Sequence, residues 1–245
     1  MAKKDSKNPD IFGQALLDFH NDKYSEDITV ISSLTEDDEI PVPYLFRSYE
    51  EMPEVEQKAL QLAQGKTLDI GACAGSHTLY LQNKGIEVTA LDISEGAIEV
   101  CKSRGVKSTQ ITDILDYRES GYDTLLLIMN GTGIFQTLKK TESYLTHLRS
   151  LLKTDGQILV DSSDIAFMYE EEDGSYWRDA SRDYYGEVTF QINYKNQTSA
   201  AFDWLYLDFK TLKNEAEKAG FTCEKICDGP HYDFLARLIK LNPKN

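Results

Sequence analysis

The chain is 245 residues long and carries 26 Lys and Arg against 41 Asp and Glu, a formal charge of −15. That length suits one large domain with at most a small appendage, and 41% hydrophobic with 27% charged residues excludes a disordered or fibrous chain. The negative charge disfavours a nucleic-acid partner, whose phosphates are bound by Lys and Arg displacing counterions, and Lys3, Lys4 and Lys7 make no basic patch because Asp5 and Asp10 interrupt them.

The start of the chain lacks a signal-like apolar stretch, and the longest apolar run, residues 125–129, is far short of the roughly 20 residues of a membrane helix. A cytoplasmic protein without a membrane partner is expected. Cys73, Cys101, Cys223 and Cys227 form no CxxC pair, and His20, His77, His147 and His231 are scattered. Neither a disulfide framework nor a metal site is expected.

In chain order, residues 1–64 read as an N-terminal helical cap. Helical patterns over 11–20 and 53–63 flank a stretch, 24–49, in which Pro41-Val42-Pro43 predicts extended backbone. From residue 65 to 245 short apolar runs alternate with helical patterns, which predicts an α/β sheet of parallel strands with crossover helices. The predicted strands are 67–72, 87–93, 108–114, 122–129 and 157–161, and the fourth is apolar throughout, as suits a strand buried on both faces. Ser94 is placed to cap one helix that stops at Gly105; Thr141 is placed to cap the next, which Gly156 would end.

After Asp164 an insertion over about 165–207 begins with the acidic run 170–173, read as a solvated face or loop, and continues as a hairpin of 187–194 with 200–207. Phe209, Leu212, Ala216 and Ala219 mark a last helix, with Asp208 as its cap and Gly220 as its stop. Segments 223–227 and 234–240 then read as an antiparallel finish.

The chemistry-bearing segment is 68–77, LDIGACAGSH, a strand that runs into glycines and then a helix. Gly71 and Gly75 permit a sharp turn and close approach of a ligand at the strand's C-terminal edge. The dinucleotide pattern GxGxxG is not met, because Cys73 and Ser76 stand where two of its glycines belong. Asp92 follows Gly71 by about 20 residues, where a carboxylate accepts hydrogen bonds from ribose hydroxyls, and Asp113 closes the third strand. Asp69, Asp92 and Asp113 at neighbouring strand ends favour a nucleoside-like ligand with positive charge; the plainer role for Asp113 is to cap the next turn.

On these residues the chain resembles the class I S-adenosylmethionine-dependent methyltransferases, over about residues 66–240 in element order. The resemblance implies a doubly wound, mostly parallel, seven-stranded Rossmann-like α/β sheet with an antiparallel last strand, and S-adenosyl-L-methionine as cofactor. It implies a donor site made by Asp69, Gly71, Ala72, Cys73, Gly75, His77, Asp92, Ile93, Asp113, Ile114, Met129, Asn130 and Gly131. Within that set Asp92 would bind the ribose hydroxyls, Ile93 would pack on adenine, and Asp113 with Ile114 would meet the adenine ring and its amino group. Cys73 replaces the middle glycine of the family's DxGxGxG loop. Asn130-Gly-Thr-Gly133 is not the [DN]PP[YFW] of exocyclic-nitrogen methyltransferases, so a DNA-adenine or glutamine acceptor is disfavoured.

Methyl transfer from a sulfonium needs alignment more than acid or base catalysis. Where a base is required, His77, Asp161, His231 or a tyrosine of the cap are candidates, and none is selected by sequence. Tyr44, Phe46 and Arg47 are candidate acceptor contacts on a lid, and Tyr169, Tyr176, Trp177, Tyr184 and Tyr185 a candidate opposite wall. The expected acceptor is a small molecule, and the oligomeric state is left open. Two other readings stand beside this one: a non-catalytic relative that binds the donor or a protein partner, and a nicotinamide-dependent oxidoreductase.

Overall fold

The computed structural model describes residues 9–170 and 182–241. Asp10 opens α1 (Ile11–His20) by accepting the Gly13 N–H, and a short hairpin of β1 (Ile28–Ser32) and β2 (Asp38–Ile40) leads to α2 (Glu54–Leu62). The alternating α/β part follows as β3 (Thr67–Ile70), α3 (Ser76–Asn83), β4 (Val88–Asp92), α4 (Glu95–Ser103), β5 (Thr109–Ile111), β6 (Tyr122–Leu127), α5 (Leu138–Leu151) and β7 (Leu152–Ser163). The insertion supplies β8 (Glu187–Tyr194), β9 (Gln197–Thr198) and β10 (Phe202–Leu205); α6 (Phe209–Lys218), β11 (Phe221–Asp228) and β12 (Asp233–Lys240) close the chain.

Seven strands form the main sheet in the order β11-β12-β7-β6-β3-β4-β5. β3 to β7 run parallel, while β12 pairs antiparallel with both β7 and β11. This is the expected doubly wound sheet with an antiparallel last strand. Side-chain alternation divides the core between its two faces. Leu125, Leu127, Ile158 and Val160 join Leu145, Leu148 and Leu212 on the side of α5 and α6, whereas Leu126, Leu159 and Leu235 pack with Val55, Ala59 and Leu81 from α2 and α3. The chain winds from β3 outward to β5 and then returns to β6 on β3's other side. That reversal is the topological switch point, and open α/β sheets bind ligands in the crevice outside the C-terminal ends of the strands at such a point, here β3 and β6.

The N-terminal segment differs from a purely helical cap. β1 and β2 join the insertion in a second, antiparallel sheet, β10-β8-β1-β2, with β9 attached to β8. The expected hairpin partners do pair, Phe202 opposite Phe190 and Leu205 opposite Glu187, but the other edge of β8 takes β1, Thr29 opposite Asn193. Pro41 is extended as expected, yet Val42–Phe46 form a 3-10 helical turn. A proline in the first helical positions loses no hydrogen bond, and Asp27 accepts the Val42 N–H at 2.9 Å.

Helix α5 also starts earlier than Thr141, with Thr137 at its cap position. Glu187 of β8 satisfies the Leu138 N–H at 2.9 Å, so the first turn forms upstream, and Thr141 lies inside the helix with its hydroxyl on the Thr137 carbonyl. Gly156 is not a helix stop, because α5 passes directly into β7 at Leu152 and Gly156 lies within that strand. Ser94 and Asp208 do cap α4 and α6, accepting the N–H groups of Ala97 and Thr211. Among the described residues no helix is long and apolar enough to cross a membrane.

Candidate functional site

The loop from β3 into α3 lies at the crevice. Gly71 and Gly75 have φ of 77° and 81°, and Cys73 between them adopts 52°, a left-handed backbone that side chains disfavour. Gly75 is also required by packing, since a Cβ there would lie 2.9 Å from the Cys101 sulfur. Leu91 in β4 accepts the N–H groups of Gly71 and Ala72 at 2.8 and 3.1 Å. Cys73 is held by donating its N–H to Asp92 Oδ2 at 2.9 Å. Burial and the Asp92 charge push the Cys73 thiol up, so it is a neutral packing group.

The three aspartates occupy different environments. Asp69 is buried and accepts a 2.5 Å hydrogen bond from the Thr78 hydroxyl of α3, so it braces the loop from beneath and is not at the crevice surface. Asp92 ends β4 and accepts the N–H groups of both Cys73 and Ser94. Burial raises the carboxyl of each. Asp113 is exposed and caps the turn Ile114–Asp116 through the Leu115 N–H; Ile114 turns its side chain into the main core. Ile93, beside Asp92, is 72% exposed.

The cap is fastened to this loop. Ser76 donates to the Leu45 carbonyl at 3.3 Å, and Arg104, at the C-terminal cap of α4, reaches the carbonyls of Ala74 and Phe46 while its guanidinium lies over the Phe46 ring. Arg47 stacks on Tyr44, its guanidinium carbon 3.9 Å from the ring centre, and pairs with Glu56 of α2. Glu56 in turn meets His77 Nε2 at 2.9 Å. Burial alone would raise the Glu56 carboxyl, but its bonds to His77 and Arg47 outweigh that and hold it below the ordinary range. Arg47 Nε is buried and has no partner. Glu56 escapes sequence reading because an acid in the run Glu54-Val55-Glu56 looks like a solvated helix start.

On the other side of β3, the chain leaves β6 through Met129 and Asn130, both left-handed with φ of 73° and 56°. Asp161 of β7 accepts the N–H groups of Met129, Asn130 and Gly131 at 3.2, 3.0 and 2.8 Å. Its carboxyl is pushed up to about 6 by burial. Both oxygens of this carboxylate already accept backbone hydrogen bonds.

Further out, Phe167 and Tyr232 stack at 4.5 Å, both exposed. Tyr185 donates to Asp164, Tyr184 to Asp208, and the Tyr169 hydroxyl to the Tyr185 carbonyl. Tyr176 and Trp177 lie outside the described residues, as does most of the acidic run 170–173. His231 is exposed in the turn between β11 and β12. Among the described residues no group of His, Cys, Asp or Glu is placed to hold a metal ion.

A glycine loop, an acid closing the neighbouring strand and a sheet with one reversed strand together make a doubly wound Rossmann-like architecture. Residues 68–160 match the family described as "Methyltransferase domain". A methyltransferase from Bacteroides fragilis, solved with S-adenosyl-L-homocysteine, is 44% identical, with 95% of each chain covered and a TM-score of 0.88. The chain belongs to the S-adenosylmethionine-dependent methyltransferases. The CcbJ methyltransferase of Streptomyces caelestis (14% identical, 79% of this chain and 95% of that one, TM-score 0.61) shares the fold. So does the amino pentose methyltransferase CalS10 of Micromonospora echinaspora (11% identical, 81% and 94% covered, TM-score 0.54). A search of curated proteins finds no match.

Proposed function

We propose that this enzyme methylates a small neutral or cationic molecule, with the donor seated at the C-terminal edge of β3, β4 and β5. The observation that carries the donor site is the pairing of Asp92 with Ile93 beside the glycine loop. The Asp92 carboxylate keeps acceptor capacity for ribose hydroxyls beyond its two backbone bonds, and Ile93 is a bare apolar platform, 72% exposed, that suits an adenine face. The residues present fit S-adenosylmethionine, which supplies an activated methyl group when bound.

In this reading Gly71, Ala72, Cys73 and Gly75 present backbone to the donor's amino-acid end, and the exposed Asp113 with the backbone of Ile114, whose side chain is buried in the core, flanks the base. Met129, Asn130 and Gly131 line the sulfur side. Arg47, whose Nε is unpartnered, and His77 close the cap side, where the Glu56 carboxylate fixes both. Tyr44 and Phe46 stand on the cap, and the exposed pair Phe167 and Tyr232 gives the acceptor an apolar wall. The net charge of −15 supports an acceptor that is not a polyanion.

Calorimetric titration tests the donor site: S-adenosylmethionine and S-adenosylhomocysteine should bind saturably and NAD should not. A panel of small amines and alcohols with methyl-labelled donor tests the acceptor class. Label transfer only to a protein or nucleic acid would contradict it.

A further inference from the structure

Three backbone donors meet one carboxylate at Asp161. The acceptor is 7% exposed, and the donors belong to Met129, Asn130 and Gly131, the residues that turn the chain away from β6. Two consecutive non-glycine residues in left-handed conformation carry backbone strain that the contacts around them must offset. Ser163, also on β7, donates to Asn130 Oδ1 at 2.8 Å and gives the turn a second tie to the same strand. The turn is tight as well, since a Cβ at Gly131 would lie 2.7 Å from that of Leu127. A few residues on, Ile134 approaches the glycine loop, its Cδ1 3.5 Å from where a Gly71 Cβ would stand. The chain between β6 and α5 therefore has its origin set by β7 and its far side against the donor loop.

We propose that Asp161 is a positioning residue for methyl transfer, its carboxylate holding the left-handed turn at Met129 and Asn130 in the shape that the donor requires. The proposal rests on the reading of this crevice as the donor site. It assigns Asp161 no proton to carry, because both its oxygens already accept backbone hydrogen bonds. Its surroundings are few: β12 sets apolar Leu235 opposite it, its β7 neighbours Val160 and Ser162 are neutral, and Glu56 faces it from α2, tied to Arg47 and His77. Burial among such neighbours pushes this carboxyl up to about 6, so the clamp weakens in mild acid.

The test is calorimetric titration of S-adenosylhomocysteine into wild type and D161N, with amide hydrogen exchange followed on the same proteins. At about pH 7.5, D161N should bind at least about tenfold more weakly, since an amide cannot accept all three N–H groups. Exchange should accelerate at residues 129–131 and stay as in wild type in β1 and β8. Towards about pH 5, wild type should lose affinity and approach D161N, whose own affinity changes less. If D161N does not fold, N130G relieves the left-handed strain, and N130G is compared with N130G/D161N in the same way. Binding by D161N within about twofold of wild type, or unchanged exchange at 129–131, overturns the proposal while leaving the donor site standing. Absence of binding by wild type removes the donor-site reading and the proposal with it.

Discussion

Arg47 Nη2 donates to both carboxylate oxygens of Glu56, at 2.5 and 2.6 Å, and the two side chains are 4% and 6% exposed. The pair joins the end of the turn Val42–Phe46 to α2, and through His77 to the first turn of α3. Breaking such a pair leaves a guanidinium buried without its counter-charge, which costs more than replacing both partners by apolar groups. E56Q should therefore destabilise the protein by about 3–5 kcal/mol in urea unfolding, whereas R47M/E56L should recover most of that loss. A double variant as unstable as E56Q would show that the ion pair is not the relevant contact.

The pH dependence of stability should contain two opposed contributions. Glu56 is held below its ordinary value, so its contribution is full above the unfolded value of 4.5 and is lost as pH falls through the lower folded value. Asp161 is raised by burial from 3.8 to about 6, so the folded state holds its proton more tightly; its contribution is full below 3.8 and is lost as pH rises to about 6. Urea unfolding of wild type and D161N across this range should show wild type losing stability relative to D161N between those values. A constant difference would contradict the assignment.

At Cys73 the backbone carries a conformation that glycine adopts freely. C73G should cost less than about 1 kcal/mol, because relief of left-handed strain offsets the lost side-chain packing. C73V should cost about 2 kcal/mol or more, since a β-branched residue is poorly tolerated at positive φ. Thermal unfolding of the two variants checks the order, and a more stable C73V would refute it.

Gly13 of α1 and Gly96 of α4 form a close helix crossing, where a Cβ on Gly96 would stand 2.7 Å from the Gly13 carbonyl. Asp10 completes the contact by accepting the Gly13 N–H with one oxygen and the Ser94 hydroxyl and Gly96 N–H with the other. Because the obstructing atoms are backbone, G96A should cost about 1–3 kcal/mol by overpacking and speed amide exchange in α1. Unchanged exchange there would show that α1 is held elsewhere.

The main sheet was legible because its signals are local. Five predicted strands begin within a residue or so of the observed ones except β7, and Ser94, Asp208 and Gly220 punctuate their helices as their chemistry requires. β1 and β2 were not legible, since Thr29 owes its strand to Asn193, far along the chain, and β2 is short and acidic. Thr141 misled for a related reason: the N–H that fixes the start of α5 is satisfied by Glu187 of the second sheet. In the site, the glycines and Asp92 announce themselves by spacing. Glu56 and the three-fold grip of Asp161 exist only once distant segments meet.

A crystal structure of the protein with S-adenosylhomocysteine tests the central claim most directly. The account predicts ribose hydroxyls within hydrogen-bonding distance of the Asp92 carboxylate and the adenine ring covering Ile93. A nucleoside bound elsewhere, with Ile93 still open to solvent, would contradict it.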